Sequence, residues 1–312
     1  MKLSVVIPAF NEAPHLGVVL WELQSTIGQC PDVSSHEIIV VDDHSQDGTY
    51  AAVSCLGDAG IRCIRLSRRS GSHTAIRAGL RASTGDAVLC LSADGQDDPV
   101  VLNEMIRQFR AGSHTVWAIR ESRDEGLLAR FTAWLFYKML MTISSGGADH
   151  IDLANADFYL LSRRTVNAIN QCGERNTSLF GLIIWLGFRQ TSVSYRRRER
   201  IGGESKWNFS SRVRLALDWI IAFSGIPLRL ITYIGLGTAI LGFAYALFVF
   251  IFALMDYTTP GWAEMVIITL VLSGTIMIMV GLIGEYLWRT LEESRERPLY
   301  FIEEETHPND TD

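Results

Sequence analysis

The stretch "CLSADGQDDP", residues 90–99, sets Asp94, Gln96, Asp97 and Asp98 directly behind a short apolar run. Carboxylate and amide oxygens gathered at the end of a strand suit a hard divalent cation. Two residues before Asp94, where a second carboxylate would strengthen the grip, stands Ser92. Mg²⁺ takes only one or two protein carboxylates and draws its other ligands from water and substrate phosphates. Asp94 can supply a charged oxygen, Gln96 an amide oxygen, and a nucleotide diphosphate the remainder. The pattern predicts a cation site that is weak alone and completed by its substrate, with Ser92 free to hydrogen-bond a ligand or a coordinated water.

The elements that must position this cluster are legible around it. The runs "LSVVIPA", "EIIVVDD", "IRCIRLS" and "DAVLCLSA" alternate with helical patterns such as "APHLGVVLWELQSTI" and "SHTAIRAGLRAS". Near-continuous apolar strands between helices predict an α/β fold with a mainly parallel sheet covered on both faces. In such sheets ligands lie beyond the carboxyl ends of the strands. Three polar clusters fall there: "PAFNE" (8–12), "VDDHSQDGT" (41–49) and "SADGQDD" (92–98). Separate in sequence, they are expected to converge on one crevice. Asp47 or Ser45 is placed to cap the second helix, and Asp98, before Pro99, the fourth. No GxGxxG follows the first strand and no GxxxxGK[ST] occurs, so neither a dinucleotide fold nor a P-loop is supported.

Hydrophobic residues make up 48% of the 312, and the mean hydropathy is +0.17, which predicts that part of the chain lies in lipid. No charged residue occurs from Leu230 to Met255 or from Met265 to Gly284. Each run meets the ~20 residues a helix needs to cross a bilayer. The acidic connector "DYTTPGWAE" has no Lys or Arg, whereas Arg212, Arg214 and Arg229 precede the runs and Arg289, Arg295 and Arg297 follow them. The positive-inside rule then puts both flanks in the cytoplasm. The expected organisation is a cytosolic domain over 1–207, a juxtamembrane amphipathic helix over 208–229, two transmembrane helices over 230–288 and a cytosolic tail over 289–312. The stretch 127–145 reads as an interfacial helix or as a helix packed on the soluble core. Gly235, Gly237 and Gly242 would let the hairpin pack with copies of itself as a homo-oligomer. A net charge of −6 argues against nucleic acid as a partner. Five scattered cysteines without a CxxC read as reduced thiols. Lys2 runs straight into "LSVVIPA", so no cleavable signal is expected.

Through "SVVIPAFNE", "EIIVVDDHSQDGT", "GDAVLCLSADGQDDP", "RERIGGESKW" and the apolar hairpin, the chain resembles the family 2 inverting glycosyltransferases of GT-A fold. Within them it resembles the polyprenyl-phosphate glycosyltransferases, including dolichol-phosphate mannose synthases and bacterial undecaprenyl-phosphate (bactoprenol) glucosyltransferases. The resemblance implies a GT-A nucleotide-sugar-binding domain with interfacial helices and a two-helix transmembrane hairpin. It implies transfer of a hexose, first of all glucose from UDP-glucose, to a polyprenyl phosphate in the lipid bilayer of the inner membrane. Pro8, Phe10 and Glu12 would line the nucleotide pocket, with Val41 and Asp43 beside the base. Ala93 and Asp94 would meet the donor diphosphate, and Asp94 with Gln96 would hold Mg²⁺ or Mn²⁺. Arg120 would lie near the donor, Arg200 and Lys206 would bind phosphate of donor or acceptor, and Asp157 matches the carboxylate usually proposed as base. Three positions depart from the family pattern: Ser92 replaces the first Asp of Asp-x-Asp, Arg69 replaces an Asn, and Asp98 stands where a Pro is frequent.

Two rival readings remain at this stage. A processive family 2 polysaccharide synthase would carry more spans and a Gln-x-x-Arg-Trp motif, which does not occur. A catalytically silent membrane scaffold has only Ser92 and Arg69 in its favour. Two spans make no obvious translocation path, so a separate flippase is expected.

Overall fold

The computed structural model describes residues 1–58, 60–120, 156–174, 178–196, 226–254 and 261–306. Among them, eight strands form one sheet: β1 (Lys2–Ala9), β2 (Ser35–Asp42), β3 (Ile61–Leu66), β4 (Ala87–Cys90), β5 (Thr115–Arg120), β6 (Ala156–Ser162), β7 (Gln190–Tyr195) and β8 (Ile302–Glu305). Their spatial order is β7-β5-β6-β4-β1-β2-β3-β8. The helices beside it are α1 (Ala13–Gly28), α2 (Thr49–Ser54), α3 (Ser72–Ala82), α4 (Leu102–Arg110), α5 (Arg163–Gln171) and α6 (Leu179–Trp185).

The central strands are apolar on both faces, and Val5, Val6, Ile7, Ile38, Ile39, Val40, Val41 and Val88 are all fully buried. A parallel strand with helices on either side has no solvent face, so β-branched residues can follow one another without alternation. Helix α1 buries Leu16, Val19, Leu20, Leu23 and Ile27, one stripe at helical spacing. Asp98 caps the turn before α4 as its position next to Pro99 predicts, its Oδ1 accepting the Val100 amide at 3.0 Å.

Strand direction decides what meets at the sheet's edge. β1 runs parallel to β2, with Pro8 opposite Val41 and Ala9 opposite Asp42, and parallel to β4, with Val6 opposite Cys90. The clusters after β1, β2 and β4 therefore leave the sheet side by side. β6 is antiparallel to β4, pairing Tyr159 with Cys90, and antiparallel to β5, pairing Ala156 with Ile119. It begins where they end, which brings the backbone of Asp157 to the same edge. β5 and β7 are parallel and finish together at Arg120 and Tyr195.

The last strand differs from the sequence expectation of a tail over 289–312. β8 adds antiparallel to β3, and flanking bonds extend the seam. Ser67 N donates to Phe301 O at 2.9 Å, and Cys63 N donates to Thr306 Oγ1 at 2.8 Å. Glu303 and Glu305 meet Arg65 and Arg62 at 3.0 and 3.4 Å. An acidic run with no apolar face carries no strand signal of its own. It is stabilised by the two arginines of β3, Arg62 and Arg65, and by an edge that would otherwise be unpaired.

A second compact unit, residues 213–297, contains α7 (Ile226–Leu254) and α8 (Trp262–Ser294). Both helices are long and apolar enough to cross a bilayer, and Leu241, Phe243, Met277 and Ile278 are exposed on them. They touch at a small residue: a Cβ on Gly235 would lie 2.9 Å from Met279 Cε. The stretches 127–145 and 208–225 lie outside the described residues. All five cysteines are free thiols.

Gly85 sets how closely the chain approaches β1. A Cβ there would lie 2.6 Å from Ser4 N and 2.8 Å from Lys2 O, backbone atoms that cannot swing aside. Gly85→Ala is expected to cost about 1–3 kcal/mol, read as a lower thermal midpoint of the detergent-solubilised chain. Gly17→Ala, where a Cβ meets nothing within 4 Å, is the matched control and should not lose stability.

Candidate functional site

The loop after β1 and the loop after β2 are zipped together by polar groups. Asn11 adopts φ +56°, a left-handed conformation that Asn tolerates better than most residues. Its amide donates to Ser45 Oγ at 2.9 Å, and its Oδ1 accepts the Gln46 amide at 2.9 Å. Glu12 N donates to Thr49 Oγ1 at 3.1 Å, and Ala13 N to Asp47 Oδ2 at 3.0 Å. The other oxygen of Asp47 accepts the Thr49 amide at 3.1 Å, so Asp47 serves the start of α2. Ser45, the alternative cap, is used on Asn11 instead.

Two adjacent aspartates anchor this region from below. Asp42 is fully buried; its oxygens accept Ser45 N and Arg65 Nη1, each at 2.9 Å. Arg65 also donates to Ser45 O at 3.2 Å and to Glu303 at 3.0 Å, so one guanidinium joins the β2 loop to β8. Asp43, also buried, accepts the Ser70 amide at 2.6 Å and the Gly71 amide at 2.8 Å. Burial pushes its carboxyl group above the usual aspartate range, against the downward pull of those two amides and of nearby Arg69. Asp43 thereby fixes the loop 67–71, and that loop delivers Arg69 over the Phe10 ring, 4.1 Å from its centroid. The residue that departs from the family pattern is thus part of the wall beside Phe10.

The acidic cluster after β4 is built around Ser92. Ser92 N donates to Asp97 Oδ2 at 2.7 Å, and Ser92 Oγ lies 2.7 Å from both Asp97 Oδ2 and Asp94 Oδ1. Asp94 Oδ1 also accepts the Gln96 amide at 3.2 Å, and Gly95 turns the chain at φ +70°. The Tyr195 hydroxyl reaches Asp97 Oδ1 at 3.4 Å.

The residues expected from sequence fall as follows. Pro8, Phe10 and Glu12 are half-buried at the end of β1 and the start of α1, and Asp94, Gln96 and Arg120 are half-buried at the ends of β4 and β5. Ala93 is buried, and Val41 is fully buried, its Cγ2 only 3.2 Å from where a Cβ on Gly79 would stand. That side chain packs under α3. The side chain of Asp157 lies outside the described residues, as do Arg200 and Lys206. Asp97 was named from sequence as a member of the cluster but given no role, and Tyr195 was not singled out. Asp97 was hidden in an acidic run, and Tyr195 ends a polar strand whose neighbours only the sheet order reveals.

Among the described residues no group of three or more His, Cys, Asp or Glu side chains is arranged to hold a metal ion. One carboxylate and one amide, Asp94 and Gln96, fit a cation such as Mg²⁺ or Mn²⁺ that draws its remaining ligands from a diphosphate.

Residues 4–165 match the family model described as glycosyl transferase family 2. A prophage bactoprenol glucosyl transferase homolog of Escherichia coli K12 is 35% identical over 308 residues, covering 97% of this chain and 98% of that protein. The bactoprenol glucosyl transferase of Shigella phage SfV is 35% identical over 312 residues, covering 98% and 99%. An uncharacterized glycosyltransferase of Synechocystis is 37% identical over 306 residues, covering 97% and 95%. Among solved structures, mannosyl-3-phosphoglycerate synthase from Rubrobacter xylanophilus aligns at a TM-score of 0.51 and 18% identity, over 74% of this chain and 75% of that one. That likeness is one of fold, and the fold is GT-A.

The raised carboxyl of Asp43 has a thermodynamic consequence. Its folded pKa lies above the unfolded value of about 3.9. The folded state then binds the proton more tightly, and the stability this gives is present below the unfolded pKa and lost as pH rises through the folded one. Asp43→Asn, which cannot titrate, should be least stable relative to the native protein at low pH. The gap in thermal midpoint should narrow as pH is raised from acid towards neutral; a gap that widens with pH contradicts the assignment.

Proposed function

The chain belongs to glycosyl transferase family 2, and from that premise we propose that it transfers glucose from UDP-glucose to a polyprenyl phosphate such as undecaprenyl phosphate. The observation that carries this reading is the similarity to bactoprenol glucosyl transferases over nearly the whole chain, apolar helices included. The chain crosses the inner membrane twice, as a hairpin, with its catalytic domain on the cytosolic side. Its product lipid is flipped by a separate protein.

In this mechanism an oxygen of the acceptor phosphate attacks the anomeric carbon. The bond from that carbon to the donor diphosphate breaks on the opposite face, and its electron pair leaves with the diphosphate oxygen. Phe10 and Arg69 flank the nucleotide, and Asp43 fixes the loop that carries Arg69. Asp94 and Gln96 would hold a divalent cation beside the diphosphate, and that ion, when bound, would supply neutralisation of the leaving charge. Arg120, Arg200 and Lys206 offset the repulsion between two anions brought into one site. A phosphate monoester has its second pKa near about 6, so the nucleophile is largely ionised at neutral pH. A strong base is not required, and Asp157 orients the acceptor or the sugar. The polyprenyl tail stays in the bilayer while its phosphate meets the site at the headgroup layer.

Membranes containing the protein, given labelled nucleotide sugars and undecaprenyl phosphate, should yield a lipid carrying one glucose from UDP-glucose. Chelation should abolish the product, and Lys206→Ala should cut turnover at least tenfold, the scale of one lost charge-stabilising donor. Asp157→Asn should lower turnover at every pH; a loss confined to low pH contradicts the orienting role. A sugar polymer would favour the processive synthase, and no lipid product from any donor would favour the silent scaffold.

A further inference from the structure

We propose that Asp97 is a positioning residue for Asp94, acting through the Ser92 hydroxyl, and that Tyr195 holds Asp97 in place from β7. The inference rests on the reading above that Asp94 faces the donor diphosphate.

Asp97 is only 7% exposed, although it lies in a short polar loop at the edge of the sheet. A carboxylate so withdrawn from water needs donors. It has Ser92 N and Ser92 Oγ at 2.7 Å on one oxygen and the Tyr195 hydroxyl at 3.4 Å on the other. Tyr195 is itself 4% exposed, and its ring is set edge-on to Phe158 at 5.1 Å. The tyrosine is therefore held by packing, and its hydroxyl enters the loop from a different strand.

Ser92 joins the buried carboxylate to the half-buried one. Its oxygen stands 2.7 Å from Asp97 Oδ2 and 2.7 Å from Asp94 Oδ1, and a hydroxyl has one proton to place between them. Its rotamer is thereby set from both sides. Asp94 Oδ1 then meets Ser92 Oγ at 2.7 Å and the Gln96 amide at 3.2 Å, which fixes the orientation of the carboxylate before any ligand arrives. Partners one step behind a ligand carboxylate orient it and raise affinity by sparing that ordering cost. In this chain Ser92 is the connector through which Asp97 sets the geometry of Asp94, a role distinct from that of a missing ligand.

The test measures nucleotide binding by calorimetry on the detergent-solubilised full chain, without turnover. UDP and, in a parallel arm, GDP are titrated in Mn²⁺ and again in EDTA. The native protein should bind one of them more tightly in Mn²⁺, and Asp94→Asn should lose that gain. Asp97→Asn and Ser92→Ala should weaken the Mn²⁺-dependent affinity by about 10- to 100-fold while the affinity in EDTA is unchanged. Tyr195→Phe should act in the same sense, more weakly. Equal losses in Mn²⁺ and EDTA, or no loss in Ser92→Ala, overturn the positioning role and leave the functional reading intact. Ser92→Ala buries no unpaired charge, so it decides the matter even if Asp97→Asn fails to fold. A native protein whose binding ignores Mn²⁺ for both nucleotides, or an Asp94→Asn variant that keeps the gain, overturns the reading of Asp94 itself.

Discussion

A carboxylate taken out of water must be given donors, and at the carboxyl ends of β2 and β4 that requirement shapes the whole site. Asp42, Asp43 and Asp97 are all buried, and each draws backbone amides or neighbouring side chains onto itself. Those amides belong to the loops that carry the exposed chemistry. Asp42 takes Ser45 N, Asp43 takes Ser70 N and Gly71 N, and Asp97 takes Ser92 N. Leaving any of these oxygens unpaired would cost more than ordering a few loop residues. The loops are accordingly held in one conformation, and Phe10, Arg69 and Asp94 inherit their positions from it.

Two of the three departures from the family pattern, Arg69 and Ser92, make sense within this framework. Arg69 is presented by the loop that Asp43 holds, and it covers the Phe10 ring with a cation. Ser92 lies between two aspartates in place of a third carboxylate. A third carboxylate there would have to share the space with two others, whereas a hydroxyl carries no charge and has a proton to donate to them.

The strand that follows the apolar helices extends the same logic to the far side of the sheet. β8 contributes no apolar residue to the core, yet Glu303 meets Arg65, and Arg65 in turn serves buried Asp42. A partly exposed ion pair contributes little alone. Here it belongs to a chain of contacts that ends on a fully buried charge, and the removal of Arg65 would leave that charge without its cation.

Much of this was legible in the residues alone. β-branched runs ending in polar clusters announced a mainly parallel sheet with polar loops at its carboxyl edge, and uncharged stretches of helix length announced the two long apolar helices. The cap at Asp98 followed from Asp-Pro at a helix start. These are local patterns, set by period, length and backbone preference. What the sequence could not decide was which buried carboxylate would find which donor. Asp97 looked like one acid among several until β7, paired with β5, brought Tyr195 beside it. The acidic run 302–305 read as tail until the arginines of β3 gave it a partner. The Val41 side chain packs beneath Gly79 of α3. Each of these outcomes depends on a contact between residues far apart in the chain. Such contacts are fixed by strand order and burial, which only the assembled sheet determines.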